Sequence, residues 1–239
     1  MILAILQTRM SSTRLPGKVL RPLNGGPMVL REIERIGRAR RIDQLVVATS
    51  DDLTDNVLSD LLTGAGVTVF RGSLDDVLGR YAGALAANGP ADHVVRLTGD
   101  CPLIDWTVID AVIDRHLASG ADYTANTWDR RTFPKGLDVD IVKSAVLLEA
   151  AAEARDPYER EHVLPFVYRR PDRYQLDGLS QNADEGEVRW TVDTPEDFKF
   201  ASEVYDALYP DNPVFTSDDV RTLVRSRPDL ATLGGERRI

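Results

Sequence analysis

Cationic and hydroxyl side chains are concentrated in one short polar segment near the beginning of the 239-residue chain, QTRMSSTRLPGKVL at residues 7–20. Its candidate phosphate-binding side chains are Arg9, Ser11, Ser12, Thr13, Arg14 and Lys18. Gly17 allows backbone N–H groups to approach a ligand closely. Cations, hydroxyls and amides are the groups that bind phosphate oxygens. The segment therefore predicts a polyphosphate site, and the alternative is a solvated basic turn.

The segment does not have the pattern of a Walker A loop. Lys18 is followed by Val19 rather than Ser or Thr, and Ser12 stands where the first glycine should be. A dinucleotide fingerprint is also absent, because no GxGxxG follows any predicted strand. Since the hydroxyl that ligates magnesium in a Walker loop is missing, any metal must be held elsewhere.

Two aspartates follow predicted strands and are the candidate metal ligands. Asp100 lies in RLTGDCPLID and Asp193 lies in RWTVDTPEDF. A carboxylate at the end of a strand can coordinate Mg²⁺ that bridges phosphate oxygens. The alternatives are a helix or turn cap for Asp100 and an N-cap ahead of Pro195 for Asp193. The two carboxylates can act together only if their strands are neighbours.

Short apolar runs alternate with amphipathic segments over the first half of the chain. The pattern predicts strands at 2–6, 45–49, 67–70 and 94–97, and helices at 27–41, 54–63, 74–87 and 107–118. Such alternation is typical of an α/β fold in three layers, with a mostly parallel sheet covered by helices on both faces. Ligands bind beyond the carboxyl ends of the strands in such sheets, where the polar segments described above lie.

The alternation stops after Tyr123, and we interpret residues of about 123–180 as a small α+β insert within a single domain of residues 1–239. The insert is expected to contain strands at 137–142 and 174–179 and helices at 144–154 and 158–168. A strand at 188–192 and a helix at 195–208 are expected to follow. We expect the insert to provide the acceptor site and a dimer contact.

Composition excludes several classes of protein. The net charge is −9, so no overall basic field attracts nucleic acid or an anionic membrane. Cys101 is the only cysteine, which excludes an intramolecular disulfide and is typical of a reducing compartment. No apolar run approaches the roughly 20 residues of a membrane-spanning helix, and no signal-peptide pattern is present. A cytoplasmic location is predicted.

The segments QTRMSSTRLPGKVL, RLTGDCPLID and RWTVDTPEDF together resemble the cytidylyltransferase family. This family includes the enzymes that activate 3-deoxy-manno-octulosonate and sialic acid, and the resemblance is greatest to its SpsF-like branch of spore-coat polysaccharide biosynthesis. The resemblance covers nearly the whole chain, and the three segments occur in the same order as in the family. The resemblance implies a nucleotide-diphospho-sugar transferase fold, CTP as substrate, Mg²⁺, release of pyrophosphate and a homodimer.

The resemblance also implies roles for individual residues. It places Arg14, Lys18 and Asp100 in catalysis, Asp100 and Asp193 at the metal, and the phosphates on the opening segment. The segment FRGSLDDVLGRY resembles the part that contacts the base. Together with the ends of the first and fourth strands, it completes the expected nucleotide site with Leu6, Gln7, Arg71, Gly72, Ser73, Asp76, Arg80, Thr98 and Gly99.

The stretch between Asp122 and Glu161 differs from the sugar pockets of the sugar-acid enzymes, which leaves the acceptor open. Candidate acceptor-binding residues are Asn126, Arg130, Arg131, Lys135, Asp138 and His162. An acidic acceptor would account for the cations, because the arginine fork suits a carboxylate or phosphonate. The alternatives are a solvated loop for Arg130 and Arg131 and a structural or interface role for His162.

Three functions are compatible with the sequence. The leading hypothesis is an Mg²⁺-dependent transfer of CMP from CTP to a sugar or another small acidic acceptor, in surface polysaccharide or glycoconjugate biosynthesis. A GT-A-type glycosyltransferase that uses a nucleotide sugar is the first alternative. Against it, TGDCP contains one acidic residue where a paired DxD motif is expected. The second alternative is a non-catalytic nucleotide-binding module.

Overall fold

The computed structural model describes residues 1–239 and contains nine strands. In chain order they are β1 (Ile2–Gln7), β2 (Pro22–Leu23), β3 (Gly26–Pro27), β4 (Gln44–Ser50), β5 (Val69–Gly72), β6 (His93–Thr98), β7 (Tyr123–Ala125), β8 (Asp140–Lys143) and β9 (Leu176–Gly178). Seven of them form one sheet in the order β5-β4-β1-β6-β8-β7-β9, while β2 and β3 form a separate small ladder. Only β8 runs antiparallel to its neighbours in the large sheet.

Ten α-helices connect and cover the strands. They are α1 (Met28–Ile36), α2 (Asn56–Gly64), α3 (Val77–Asn88), α4 (Trp106–Ser119), α5 (Ser144–Glu153), α6 (Pro157–His162), α7 (Pro165–Tyr168), α8 (Pro195–Leu208), α9 (Ser217–Ser226) and α10 (Pro228–Ala231). Asp76 caps α3 by accepting a hydrogen bond from Gly79 N, and Thr194 with Asp197 forms a capping box on α8.

The strand β1 is buried on both faces of the sheet. Its residues are apolar without alternation, as expected for a strand that is buried on both sides. Ala4 and Leu6 belong to one apolar cluster, whereas Leu3 and Ile5 belong to a second cluster on the opposite face. The predicted α/β class, with a mostly parallel sheet between two helical layers, is confirmed. The strands of the insert extend the same sheet.

Two predictions of secondary structure were wrong. Residues 188–192 do not form a strand, although Val188, Trp190 and Val192 are buried. Their backbone bonds go to scattered partners, namely Glu185, Lys135, Asp100 and Arg237. The result is an isolated bridge between Lys135 and Arg189 instead of a ladder. The helix expected at 158–168 is divided into α6 and α7.

The division between α6 and α7 lies at Val163, which has φ +74° and ψ −60°. Leu164 N donates to His162 O at 2.9 Å across this residue, which closes a γ-turn. A β-branched residue rarely adopts a positive φ, so apolar periodicity alone could not reveal this break.

No helix in the structure combines the length and the apolar character that crossing a membrane requires.

The buried His116 of α4 lies against the half-buried His93 of β6. His116 Nε2 lies 3.0 Å from His93 Nδ1, and His116 Nδ1 lies 2.9 Å from the hydroxyl of Thr124. Burial, and then the proximity of His93, lowers the pKa of His116 from its ordinary value of 6.5 to about 4. The folded protein therefore holds His116 neutral where the unfolded chain binds a proton.

This histidine predicts a loss of stability in mild acid. As the pH falls from about 6.5 towards about 4, the unfolded state takes up a proton that folded His116 refuses. The free energy of unfolding should decrease by roughly 1 to 2 kcal/mol from this group. Urea denaturation of the wild type and of His116→Gln at several pH values tests this. The variant should show a shallower pH dependence than the wild type, and equal slopes would contradict the role of His116.

Candidate active site

A cleft of about 880 Å³ lies at the carboxyl ends of β1 and β6. Both strands end in residues that line it, Gln7 in β1 and Thr98 in β6. Most of the sequence-predicted nucleotide and metal residues meet there: Gln7, Arg9, Ser11, Ser12, Thr13, Arg14, Lys18, Ser73, Asp76, Arg80, Thr98, Gly99, Asp100 and Asp193. The cleft has seven arginine or lysine side chains in its lining against five acidic ones, so its formal charge is positive.

The opening segment, residues 7–20, is shaped by one glycine and one buried aspartate. Gly17 has φ +67°, a conformation that favours glycine, and its N–H donates to Met10 O. Asp55 is buried and accepts hydrogen bonds from Met10 N, from Ser50 N and from the hydroxyls of Thr49 and Ser50. The Asp55 carboxylate thereby fastens the segment to the end of β4.

Several backbone amides of this segment are available to a ligand. The N–H groups of Arg9, Ser11, Thr13 and Arg14 donate to no atom of the chain. The Arg9 side chain is exposed and makes no ion pair, and the Arg14 side chain pairs only with Asp193, at 3.2 Å. Amides and guanidinium groups of this kind can bind phosphate oxygens.

Lys18 brings the two candidate metal carboxylates together. Its Nζ donates to the carbonyl of Val192 at 2.6 Å and to Asp193 Oδ1 at 3.1 Å, and it lies 3.5 Å from Asp100 Oδ2. The Lys18 side chain is 10% exposed, while Asp193 and Asp100 are 19% and 31% exposed. Two carboxylates that are far apart in sequence therefore face the cleft around one ammonium group.

Arg189 and Asp197 fix the position of Asp193. Burial favours a neutral Asp193, but Lys18, Arg189 and Arg14 outweigh it and lower the pKa of this carboxyl. Arg189 bonds Asp193 Oδ2 at 2.8 Å and Asp197 Oδ2 at 2.9 Å. Asp193 does not cap α8, because Thr194 does so. Its carboxylate therefore faces the cleft, where it is paired with Lys18, Arg189 and Arg14.

The donor set around Lys18 fits a magnesium ion that is completed by substrate oxygens. No group of three or more His, Cys, Asp or Glu side chains is arranged to hold a metal ion. Mg²⁺ commonly uses only one or two carboxylates together with phosphates and water. Asp100 and Asp193 supply that number of carboxylates, and both are adjacent to the cations of the opening segment.

The segment predicted to contact the base lies partly in the cleft. Ser73, Asp76 and Arg80 line it, and Arg80 donates to Ser73 O at 2.7 Å. Burial lowers the pKa of the Arg80 guanidinium, whose Nε has no partner. Arg160 of α6 forms a two-bonded ion pair with Asp76. This pair connects the nucleotide side of the cleft to the insert.

A second cavity of about 460 Å³ adjoins the first and shares Arg96, Thr98 and His162 with it. Two of the predicted acceptor residues, Asp138 and Arg131, line this cavity. His162 lies where the two cavities meet. The structure therefore places these three acceptor candidates next to the nucleotide candidates.

Six other predicted residues lie outside both cavities. Leu6 is buried in the core, and Asn126 bonds Leu137 O and Val139 N inside the fold. Three other side chains bond elsewhere: Arg71 to Ser50 O, Arg130 to Asp184 and Lys135 to Glu187. Gly72 lies beside the Arg80 side chain.

Sequence reasoning missed four polar residues that shape the two cavities. Arg96 lies within the apolar strand β6 and pairs with Asp140 at 3.0 Å. A charged residue in an otherwise apolar run was a usable signal for Arg96. Asp55, Asp140 and Arg160 gave no comparable signal, because their partners are distant in sequence.

A mostly parallel sheet with one antiparallel strand, a cation-lined cleft at its carboxyl ends and two carboxylates beside that cleft define a nucleotidyltransferase of the α/β class. The family model described as cytidylyltransferase matches residues 3–213. The chain belongs to the cytidylyltransferase family, which confirms the resemblance seen in the sequence.

Individual relatives agree with this assignment. The chain is 33% identical over 238 residues to the spore coat polysaccharide biosynthesis protein SpsF of Bacillus subtilis (strain 168), covering 97% of each chain. It is 36% identical over 154 residues to a 3-deoxy-manno-octulosonate cytidylyltransferase of Geobacter sulfurreducens, covering 63% of this chain and 60% of the relative. The solved structure of a cytidylyltransferase from Leptospira borgpetersenii superimposes with a TM-score of 0.89 at 30% identity, covering 96% and 95% of the two chains.

The anchor of the opening segment gives a testable prediction. Asp55→Ala should lower the free energy of unfolding by roughly 2 to 4 kcal/mol, because buried donors lose a charged acceptor. Chemical denaturation measures this change, and amide hydrogen exchange should increase at Met10. The matched control is Asp60→Ala at an exposed position of α2, which should change stability by less than about 0.5 kcal/mol. An equal effect of both variants would contradict the anchoring role of Asp55.

Proposed function

We propose that this chain transfers CMP from CTP to a small acceptor and releases pyrophosphate. The observation that carries the proposal is the meeting of Arg14 and Lys18 with Asp100 and Asp193 in one cleft. A triphosphate suits this arrangement, because the cleft combines excess positive charge with backbone amides that have no partner. The use of CTP is supported by the family and by the named activity of the Geobacter relative.

The chemistry asks the protein mainly for positioning and charge stabilisation. The oxygen of an acceptor hydroxyl attacks the α-phosphorus of CTP and its proton passes to water, while the bond from that phosphorus to the pyrophosphate oxygen breaks and pyrophosphate leaves. Arg14 and Lys18 are placed to bind the phosphate oxygens on which negative charge develops. Because Lys18 is nearly buried, its charge acts with less screening by water than an exposed lysine would.

Asp100 and Asp193 are the residues that would hold the magnesium ion in this proposal. When bound, the ion would neutralise charge on the triphosphate and help to orient it. Lys18, Arg189 and Arg14 lower the pKa of Asp193, which favours the charged carboxylate that a cation binds. Lys18 and Arg189 orient its carboxylate.

The biological setting rests on similarity. The name of the Bacillus relative supports a role in surface polysaccharide or glycoconjugate biosynthesis. A homodimer in the cytoplasm, without nucleic-acid or membrane partners, remains a prediction from the sequence.

The phosphate-binding role of Arg14 predicts a strong kinetic effect. Arg14→Ala should lower kcat/KM for CTP by about 10²- to 10³-fold, as expected for loss of one donor to the transition state. Pyrophosphate release measured by a coupled assay tests this. The matched control is Arg41→Ala, which removes an exposed arginine paired with Asp114 and should leave the rate unchanged. A wild-type rate in Arg14→Ala would contradict the assigned role.

The nucleotide and reaction type can be tested together. Pyrophosphate release should require CTP, exceed that with UTP or ATP, and disappear after removal of divalent metal. Asp100→Asn is the blank, because it keeps the shape of the side chain and removes its charge. A broad panel of sugars and other small acceptors completes the assay. Release of a nucleoside diphosphate from nucleotide sugars, with no pyrophosphate from CTP, would instead indicate a glycosyltransferase.

A further inference from the structure

One arginine of the second cavity leaves most of its hydrogen-bonding capacity unused. Arg96 belongs to β6 and lines both the second cavity and the nucleotide cleft. Its Nη1 donates to Asp140 Oδ2 at 3.0 Å, which is the only hydrogen bond of its side chain to the protein. Its Nε is buried without a partner, and its Nη2 donates to no atom of the chain. Because a buried donor without an acceptor is unfavourable, this position favours a ligand that supplies one.

The unused atoms of Arg96 form one edge of the guanidinium group. The Nε–H bond and one Nη2–H bond of this planar group are parallel, and together they match the two oxygens of a carboxylate. Asp140 occupies only Nη1, and its second oxygen accepts from the Tyr123 hydroxyl at 2.6 Å. Arg96 therefore has a counter-ion that holds it in place, and it still has a complete edge for a second anion.

The surroundings of Arg96 keep it charged and favour an anion beside it. Burial disfavours the charged guanidinium, but Asp140 outweighs this effect and the pKa of Arg96 is raised. The side chain is 20% exposed, so part of it is accessible from the cavities. In the adjoining nucleotide cleft, cationic side chains outnumber acidic ones. The local potential on that side of Arg96 is therefore positive.

The other arginine of the second cavity lacks an open edge of this kind. Both terminal nitrogens of Arg131 bond the carboxylate of Asp138, the second of them at 2.8 Å. An anion at these nitrogens would have to compete with that carboxylate. Arg130 and Lys135, which the sequence also suggested, lie outside both cavities. Arg96 is thus the cation of the second cavity that has room for a carboxylate.

We infer that Arg96 binds the anionic group of the acceptor, a carboxylate, through its Nε and Nη2. This inference rests on the proposed CMP transfer, and it reassigns to Arg96 the role that the sequence suggested for Arg130 and Arg131. Arg96 is a specificity-determining residue that contacts the acceptor, and Asp140 is a positioning residue that holds the guanidinium. A lysine at position 96 can keep the ion pair with Asp140, but it lacks the planar edge.

Matched ligands and a conservative variant test the inference. The wild type and Arg96→Lys are saturated with a non-hydrolysable CTP analogue and Mg²⁺, and titrated calorimetrically with pairs of methyl hexosides and methyl hexuronosides. Within a pair, the ligands differ only in CH₂OH against carboxylate. At least one uronoside should bind the wild type roughly ten-fold or more tightly than its neutral partner, because it gains charge-assisted hydrogen bonds. Arg96→Lys should abolish this preference without changing the affinity for the CTP analogue.

A matched control and the contrary outcomes complete this test. Arg115→Lys alters an exposed arginine that pairs with Asp177 outside both cavities, and it should keep the preference for the uronoside. The inference is wrong if the wild type prefers no uronoside, or if Arg96→Lys keeps the preference. It is also wrong if Arg96→Lys weakens binding of the CTP analogue instead, since Arg96 would then serve the nucleotide. Unchanged thermal unfolding of the variants shows that they fold.

A spectroscopic measurement on the wild type does not depend on the folding of a variant. The Nε–H signals of the arginines are recorded by NMR in the complex with the CTP analogue and Mg²⁺, and each is assigned through its own side-chain carbons. The Arg96 signal should move downfield when the preferred uronoside is added and should stay in place with the neutral partner. No movement at Arg96, or a movement at Arg131 alone, would overturn the inference.

The two proposals fail in different ways. If neither CTP nor its analogue bound the wild type, the proposed function would be wrong and the inference about Arg96 would fall with it. If CTP bound and pyrophosphate were released, but Arg96→Lys kept the preference for uronosides, only the inference about Arg96 would be wrong. The binding of CTP is measured first and alone, before any acceptor is added.

Discussion

The nearly buried ammonium group of Lys18 is the interaction on which the rest of the site depends. It connects the first segment of the chain to a carbonyl and a carboxylate about 175 positions later, and it lies within ion-pair distance of Asp100 at the end of β6. Without this cation, Asp100 and Asp193 would repel each other in a partly buried space. The sheet provides the surroundings by ending β1 and β6 side by side, since Gln7 pairs with Thr98 in register. The sheet topology and the ion pairs of Lys18 therefore both bring the two carboxylates to the same end of the sheet.

The two cavities differ in their charge balance. An excess of cations in the first cleft suits a highly charged triphosphate, whereas the second cavity contains equal numbers of arginines and aspartates. The ion pair between Asp76 and Arg160 joins the nucleotide side to α6, which carries His162 to the junction. A net charge of −9 on the whole chain is compatible with this arrangement because binding depends on the local cluster.

Local patterns of the sequence predicted the sheet and the opening segment, because both depend on neighbours along the chain. Ile2 to Leu6 is apolar without interruption, and buried parallel strands have that pattern. Residues 188–192 have a similar appearance, but their backbone hydrogen bonds go to several separate parts of the chain, so no ladder forms. Arg71 was placed at the nucleotide because of its segment, yet its guanidinium bonds Ser50 O and Asp52 O outside the cleft. Such outcomes depend on partners that periodicity does not identify.

The irregular backbone around Asp193 has a physical explanation in the buried charges behind it. Arg238 is fully buried and donates to Arg189 O at 2.7 Å and to Asp197 Oδ1 at 2.9 Å. Although burial favours the neutral acid, Arg189, the N–H of Asp193 and Arg238 outweigh it and hold the pKa of Asp197 far below its usual range. Asp197 and Arg189 in turn fix Asp193. Arg238 lies beyond residues 3–213 matched by the family model, and it supports a carboxylate of the cleft through Asp197 and Arg189. A regular strand is unnecessary there, because charged hydrogen bonds supply the rigidity that a ladder would otherwise give.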